Sequence, residues 1–161
     1  MKPRILIAGV GNLLRGDDAF GSEVARRLAA LALPPQAQVV DFGIRGLDLA
    51  LALQDDYVGV ILLDVTQRGG EPGSLYVIEP DLENPDVADE IMDMHAMHPL
   101  RVLRLIKATG GTLPRVWLVG CEPETFGPEE GVMGLSKPVE AAVPEAVALI
   151  HALLERMCAD E

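Results

Sequence analysis

The chain has 161 residues, of which 49% are apolar, 24% are charged and 4% are aromatic, a composition typical of one compact domain over residues 1–161 and not of a disordered tail. Its 13 Lys and Arg stand against 25 Asp and Glu, and the net charge of -12 argues against nucleic acid or an anionic membrane surface as a partner. The longest apolar runs, residues 5–10 and 58–63, are far shorter than the roughly 18 to 20 residues of a membrane span, so we expect no membrane insertion and a cytoplasmic protein.

Apolar strands and amphipathic helices alternate along the chain. The first predicted strand covers Arg4 to Val10 and the first predicted helix covers Ala19 to Leu33, with Asp17 or Asp18 available as its N-cap. Further strands are predicted at 38–42, 57–63, 74–79 and 115–119, and further helices at 46–54, at 99–108 and from near Pro138. This order predicts an α/β fold, a three-layer α/β/α sandwich around a mostly parallel five-stranded sheet, with the strand at 74–79 at an edge.

The turn after the first strand begins like a dinucleotide-binding fingerprint and then departs from it. Gly9 and Gly11 match the G-x-G-x-x-G pattern, but Leu14 occupies the place of the third glycine. Asp17 and Asp18 open the next helix, where two carboxylates would repel a phosphate and could bind a cation. One of the pair is expected to cap the helix, and capping leaves the second carboxylate, that of Asp18, as a candidate site residue.

Two further polar side chains are expected at the same edge of the sheet. Asp64 ends an aliphatic strand, although initiation of a turn is an alternative role for it. His95 precedes the helix at 99–108 and can face the same edge, although a lone histidine more often packs or caps. Two carboxylates and an imidazole suit zinc, nickel or iron better than calcium. Asp18, Asp64 and His95 are therefore a candidate metal-binding set.

The motifs of conventional serine and zinc proteases do not occur in the sequence. No serine lies in a G-x-S-x-G elbow, and no H-E-x-x-H helix is present. Cys121, at the end of the last predicted strand, could reach the edge as a nucleophile, but a buried thiol that packs in the sheet is the stronger expectation.

Several stretches together resemble the hydrogenase maturation proteases. They are GVGNLLRGDDAFG at 9–21, DFGIRG at 41–46, the strand-ending Asp64, DMH at 93–95 and VGCEPE at 119–124. The resemblance covers nearly the whole chain. It implies an α/β/α sandwich and an endopeptidase that removes a short C-terminal extension from the large-subunit precursor of a nickel-iron hydrogenase after nickel insertion.

The same resemblance implies roles for individual residues. The metal ligands of the family fall on Asp18, Asp64 and His95, with the choice between Asp17 and Asp18 left open because the family more often has glutamate at position 18. The nickel would arrive with the precursor, so the isolated enzyme need hold no metal, and open coordination positions would receive the substrate's cysteines. The stretch that lines the family's substrate cleft contains Asp41, Gly43 and Gly46.

Two mechanisms and two other functions remain open from the sequence. The metal could polarise the scissile carbonyl and lower the pKa of a bound water toward roughly 7. It could instead only position the substrate while a carboxylate such as Asp17 activates water. The alternative functions are a small-ligand or nucleotide-binding α/β module, suggested by Gly9 and Gly11, and a nickel chaperone that docks on the hydrogenase without cutting it.

Overall fold

A five-stranded sheet lies at the centre of the computed structural model, which describes residues 4–82 and 99–159. The strands are β1 (Arg4–Val10), β2 (Ala37–Gly43), β3 (Tyr57–Val65), β4 (Leu75–Ile78) and β5 (Arg115–Cys121). Their order is β2-β1-β3-β5-β4, and all neighbours are parallel except β4, which pairs antiparallel with β5 at an edge. The predicted mostly parallel sheet, with the fourth strand at an edge, is confirmed.

Helices cover both faces of the sheet. One face carries α1 (Phe20–Ala29) and α4 (Lys137–Ala159), and the other carries α2 (Gly46–Ala52) and α3 (Pro99–Ala108). This is the predicted three-layer α/β/α sandwich. Among the described residues, none of the helices has the length and apolar character needed to span a membrane.

The alternation of side chains along each strand divides the core into two apolar clusters. In β1, Ile5 and Ile7 pack with α1 and α4, whereas Leu6, Ala8 and Val10 pack with α2 and α3. Because helices cover both faces, the central strands are aliphatic at nearly every position, and for the same reason they read as continuous apolar runs in the sequence.

Several boundaries differ from the sequence prediction by a few residues, among them those of the first helix and of β3. The first helix ends at Ala29 rather than at Leu33. The N–H of Leu31 donates a hydrogen bond to the carbonyl of Leu28, which is the tighter 3-10 pattern, and Pro34 then prevents the helix from continuing. The strand β3 continues one residue past Asp64 to Val65. Asp64 is therefore the last but one residue of the strand.

Candidate functional site

The carboxyl ends of β1, β3 and β5 lie at one edge of the sheet because these strands are parallel. Two glycines bring the chain after β1 close to this edge. A Cβ at Gly21 would overlap the carbonyl oxygens of Leu63 and Val10, and a Cβ at Gly11, whose φ is +142°, would overlap the carbonyl oxygen of Asp18. These contacts explain the glycines of the first motif: they place Asp18 beside the end of β3.

Asp18 lies half-buried in the 3-10 turn Gly16–Ala19 that precedes α1. One of its carboxylate oxygens, Oδ2, accepts a 2.9 Å hydrogen bond from the backbone N–H of Asn12. This bond crosses the turn after β1 and fixes the carboxylate at the carboxyl edge.

Asp64 lies at the same edge, on the neighbouring strand, and is only 9% exposed. Its Oδ1 accepts a 2.8 Å hydrogen bond from the N–H of Val65. Burial raises the pKa of the Asp64 carboxyl well above its usual range, and the negative charge of Asp18 raises it further. The two predicted carboxylates are therefore brought together, and the charge of Asp18 makes the ionised form of Asp64 less favourable.

A cation would change the electrostatics of this pair. It would compensate the repulsion between the carboxylates, and each could provide an oxygen ligand. His95, the third predicted ligand, lies outside the described residues. Within 4–82 and 99–159, no group of three His, Cys, Asp or Glu side chains has the arrangement of a metal site. The predicted three-residue set thus stays a prediction, with two of its members placed near each other.

Asp17 has a different environment, although it precedes Asp18 directly. Its side chain is fully buried, and its carboxylate accepts four hydrogen bonds. The donors are the N–H groups of Glu124, Thr125 and Ser136 and the hydroxyl of Ser136, at 2.7 to 3.0 Å. Asp17 therefore anchors both ends of the loop between β5 and α4 on the turn after β1. With its carboxylate enclosed and fully engaged, it lacks the access to water that a general base requires.

The predicted capping of α1 by one of the tandem aspartates is wrong. Ala19 occupies the N-cap position of α1, and no side chain caps that helix. The reason is the intervening 3-10 turn, Gly16–Ala19, which moves the start of the helix beyond both aspartates. Each carboxylate is thereby released to accept hydrogen bonds from another part of the chain.

The predicted cleft residues flank the short loop that joins β2 to α2: Asp41 and Gly43 lie at the end of β2, and Gly46 is the first residue of α2. Asp41 is exposed, and its Oδ1 accepts hydrogen bonds from the Ser22 hydroxyl at 2.7 Å and the N–H of Gly43 at 3.0 Å. The carbonyl of Gly43 accepts a 2.9 Å bond from the N–H of Gly11, and Gly46 begins α2. This loop is therefore attached to the turn that carries Asp18.

Glu122 is a buried carboxylate at this edge for which the sequence predicted no role. Its Oε1 accepts bonds of 2.8 to 2.9 Å from the N–H groups of Arg68 and Gly70 and from the Tyr76 hydroxyl. Burial by itself raises the pKa of Glu122, but these three donors outweigh it and bring the pKa below its usual value. Glu122 thus fixes the loop that follows Asp64. The sequence feature that could have drawn attention to Glu122 is its position directly after a buried strand.

The thiol and hydroxyl groups near the edge are engaged in packing or hydrogen bonds. Cys121 is fully buried, and burial, with the charges of Asp17 and Glu122, raises the pKa of its thiol to about 12. The hydroxyl of Ser22 donates to Asp41 and that of Ser136 donates to Asp17. The expectation of a buried, packing thiol at Cys121 is confirmed.

The backbone amides after β1 are not available in the way that a dinucleotide site requires. The N–H of Gly11 donates to Gly43, that of Asn12 donates to Asp18, and that of Leu14 donates to the side chain of Asn12. A pyrophosphate would need these amides and would meet the Asp18 carboxylate. The geometry therefore argues against the nucleotide-binding alternative.

Replacement of Asp17 by Asn is expected to lower the free energy of unfolding by about 3 kcal/mol. The NH2 group of the asparagine would face N–H and O–H donors whose hydrogen bonds the carboxylate now accepts. Urea unfolding followed by circular dichroism measures the loss. The exposed Asp56→Asn is the matched control and should change stability by less than about 0.5 kcal/mol. Equal stability of the two variants would contradict the anchoring role.

Replacement of Asp64 by Asn is expected to stabilise the metal-free protein by about 1 kcal/mol at pH 7, since it removes a buried carboxyl that must there either be charged beside Asp18 or bind a proton, and it keeps an acceptor for the Val65 amide. Thermal unfolding in the presence of a chelator is the measurement. An unchanged or lower melting temperature would show that the pair of carboxylates is not destabilising.

Replacement of Glu122 by Gln is expected to lower stability at pH 7 and to alter its pH dependence. The pKa of Glu122 is depressed in the folded state, so its stabilising contribution is present above the ordinary value of 4.5 and is lost as the pH falls through the folded pKa. The difference in free energy of unfolding between the native chain and Glu122→Gln should shrink below pH 4.5. A difference independent of pH would be the contrary result.

Comparisons with known proteins identify the family. A family model described as hydrogenase maturation protease matches residues 22–153. A relative in Methanocaldococcus jannaschii, named as a hydrogenase maturation protease, is 34% identical over 150 residues, which are 92% of this chain and 95% of the relative. The hydrogenase 2 maturation protease of Escherichia coli is 28% identical over 152 residues, with 94% and 90% of the two chains covered.

A solved structure leads to the same result. The hydrogenase maturating endopeptidase HybD of E. coli matches this fold with a TM-score of 0.78 at 26% sequence identity, over 96% of this chain and 93% of that one. The fold, the sequence and the family model therefore agree. The chain belongs to the hydrogenase maturation protease family, a family of peptidases.

Proposed function

We propose that this chain removes the C-terminal extension from the large-subunit precursor of a nickel-iron hydrogenase, in the cytoplasm and after nickel insertion. The observation that carries the proposal is the approach of Asp18 to Asp64 at the carboxyl edge of the sheet. Burial and mutual repulsion disfavour two negative charges there unless a cation joins them. The cation proposed is the nickel of the precursor.

Nickel is part of the substrate in this proposal. Asp18, Asp64 and His95 would each contribute one ligand, and cysteines of the precursor would occupy some of the positions left open. A precursor without nickel would lack this shared coordination and would bind more weakly. Cleavage would therefore depend on whether the precursor has received its metal.

We propose that water attacks the scissile bond. The Cys121 thiol is buried with a raised pKa, Ser22 is buried, and the Ser136 hydroxyl donates to the fully buried Asp17, so none of the three is suited to act as a nucleophile. Activation of water by Asp17 is disfavoured by its burial and its four hydrogen bonds. These observations support the account in which nickel polarises the scissile carbonyl and activates the water.

Three single substitutions test the proposal: Asp18→Asn, Asp64→Asn and His95→Gln. Each is expected to lower the rate of precursor cleavage by at least about 100-fold, because the loss of one ligand weakens the hold on nickel. Cleavage of a nickel-loaded precursor, followed on a gel and by mass spectrometry, is the measurement. Asp64→Asn should lose activity while its stability rises, a combination that simple misfolding cannot produce.

Two controls use the same substitutions at positions away from the carboxyl edge, and a third changes the buried Cys121. Asp56→Asn and His151→Gln should cleave the precursor at the native rate, and Cys121→Ala should also remain active because its thiol takes no part. Native cleavage by all three site variants would refute the ligand set. If the precursor is bound but stays uncut even by the native chain, the protein is a chaperone instead.

A further inference from the structure

Exposed apolar side chains are concentrated around the candidate site. Within 4–82 and 99–159, eleven large apolar side chains are well exposed; five of them lie in the loops that follow β1, β2 and β5, and a sixth, Leu47, lies in the first turn of α2. We call these six the apolar rim: Leu13, Leu14, Ile44, Leu47, Val132 and Met133. The exposed fraction reaches 72% at Met133 and 74% at Leu47.

The loops that carry the apolar rim are hydrogen-bonded to one another. The N–H of Val132 donates to the carbonyl of Leu14 at 2.8 Å, and the N–H of Gly16 donates back to the carbonyl of Val132 at 3.0 Å. The bond from Gly11 to Gly43 attaches the loop after β2, and Asp17 anchors the loop after β5. The rim is therefore part of one fixed surface, which is the form that a protein-docking face takes.

The charges beside the rim indicate which surface it fits. Glu124, Glu129 and Glu130 are exposed in the loop that carries Val132 and Met133, and they outnumber the two arginines beside the rim, Arg15 and Arg45, of which Arg45 pairs with Asp48 at 3.1 Å. The chain as a whole has a net charge of -12. A second copy of this chain would present the same acidic face and be repelled. A partner with an apolar centre and a border of lysine and arginine would be attracted.

We propose that the apolar rim docks the folded body of the partner protein, through a surface patch that is apolar at its centre and basic at its border. This inference rests on the proposed function, since it identifies that body as the hydrogenase precursor whose tail enters the adjacent site. Docking through the rim involves no metal ligand. It therefore acts on the precursor whether or not nickel has been inserted.

The test compares Met133→Gln and Leu14→Gln with the control Leu31→Gln, which alters an exposed leucine just beyond the end of α1. Glutamine keeps the length and the net charge and removes the apolar contact. Affinity for an immobilised, purified precursor is measured by biolayer interferometry, and KM and kcat are measured for its cleavage. Both rim variants should weaken binding and raise KM by about tenfold with kcat unchanged, and the control should match the native chain.

Charge is tested separately with the double variant Glu129→Gln, Glu130→Gln. It should bind the precursor a few-fold more weakly at low salt, and its affinity should depend less on salt concentration than that of the native chain. A salt dependence equal to that of the native chain would contradict the basic border of the partner.

The outcomes separate this inference from the proposed function. If the native chain binds the precursor through the rim but does not cut it, docking stands and the endopeptidase proposal fails. If the native chain cuts and the rim variants keep native affinity and KM, docking fails alone. No binding by the native chain, or a native dimer that Met133→Gln converts to monomer, would also overturn the docking proposal.

Discussion

A buried carboxylate beside a second carboxylate is the constraint on which the rest of the site depends. Asp64 lies near the end of a strand covered on both faces, and Asp18 makes its ionised form still less favourable. A hydrogen bond such as that from Val65 relieves only part of this effect, whereas a cation compensates the charge itself. The arrangement is therefore unfavourable in the free protein and becomes favourable when a positively charged group binds.

Asp17 and Asp18 show how adjacent residues of one chemical type acquire different roles. In a 3-10 turn, successive side chains are rotated by about 120°, so the two carboxylates face different parts of the molecule. Asp17 accepts hydrogen bonds from the loop after β5, and Asp18 lies beside Asp64. One carboxylate thus holds the loops around the site, and the other lies at the sheet edge, where it accepts a bond from Asn12.

The sequence was sufficient to predict most of the fold and part of the site. The order of strands and helices along the chain follows from local periodicity and implies the layers, and Asp64 is recognisable because an acid interrupts an aliphatic run. The roles of Asp17 and Glu122 were not predictable, because their partners lie far away in the sequence: Glu122 accepts from amides 52 and 54 residues distant. Such bonds depend on loop conformation and leave no periodic pattern.

The acidic centre and the apolar rim would contribute to substrate binding in different ways. Contacts at the exposed rim would depend on the folded body of the precursor, whereas the carboxylates, of which Asp64 is buried, would respond to its metal. Once the body is docked, the tail and the metal are held near the site at an effective concentration in the millimolar range for a short linker. Even weak coordination of nickel by the chain would then suffice to distinguish a precursor that carries nickel from one that does not. A site that is unfavourable when empty is consistent with this division, because its selectivity would come from the metal and its affinity from the docking face.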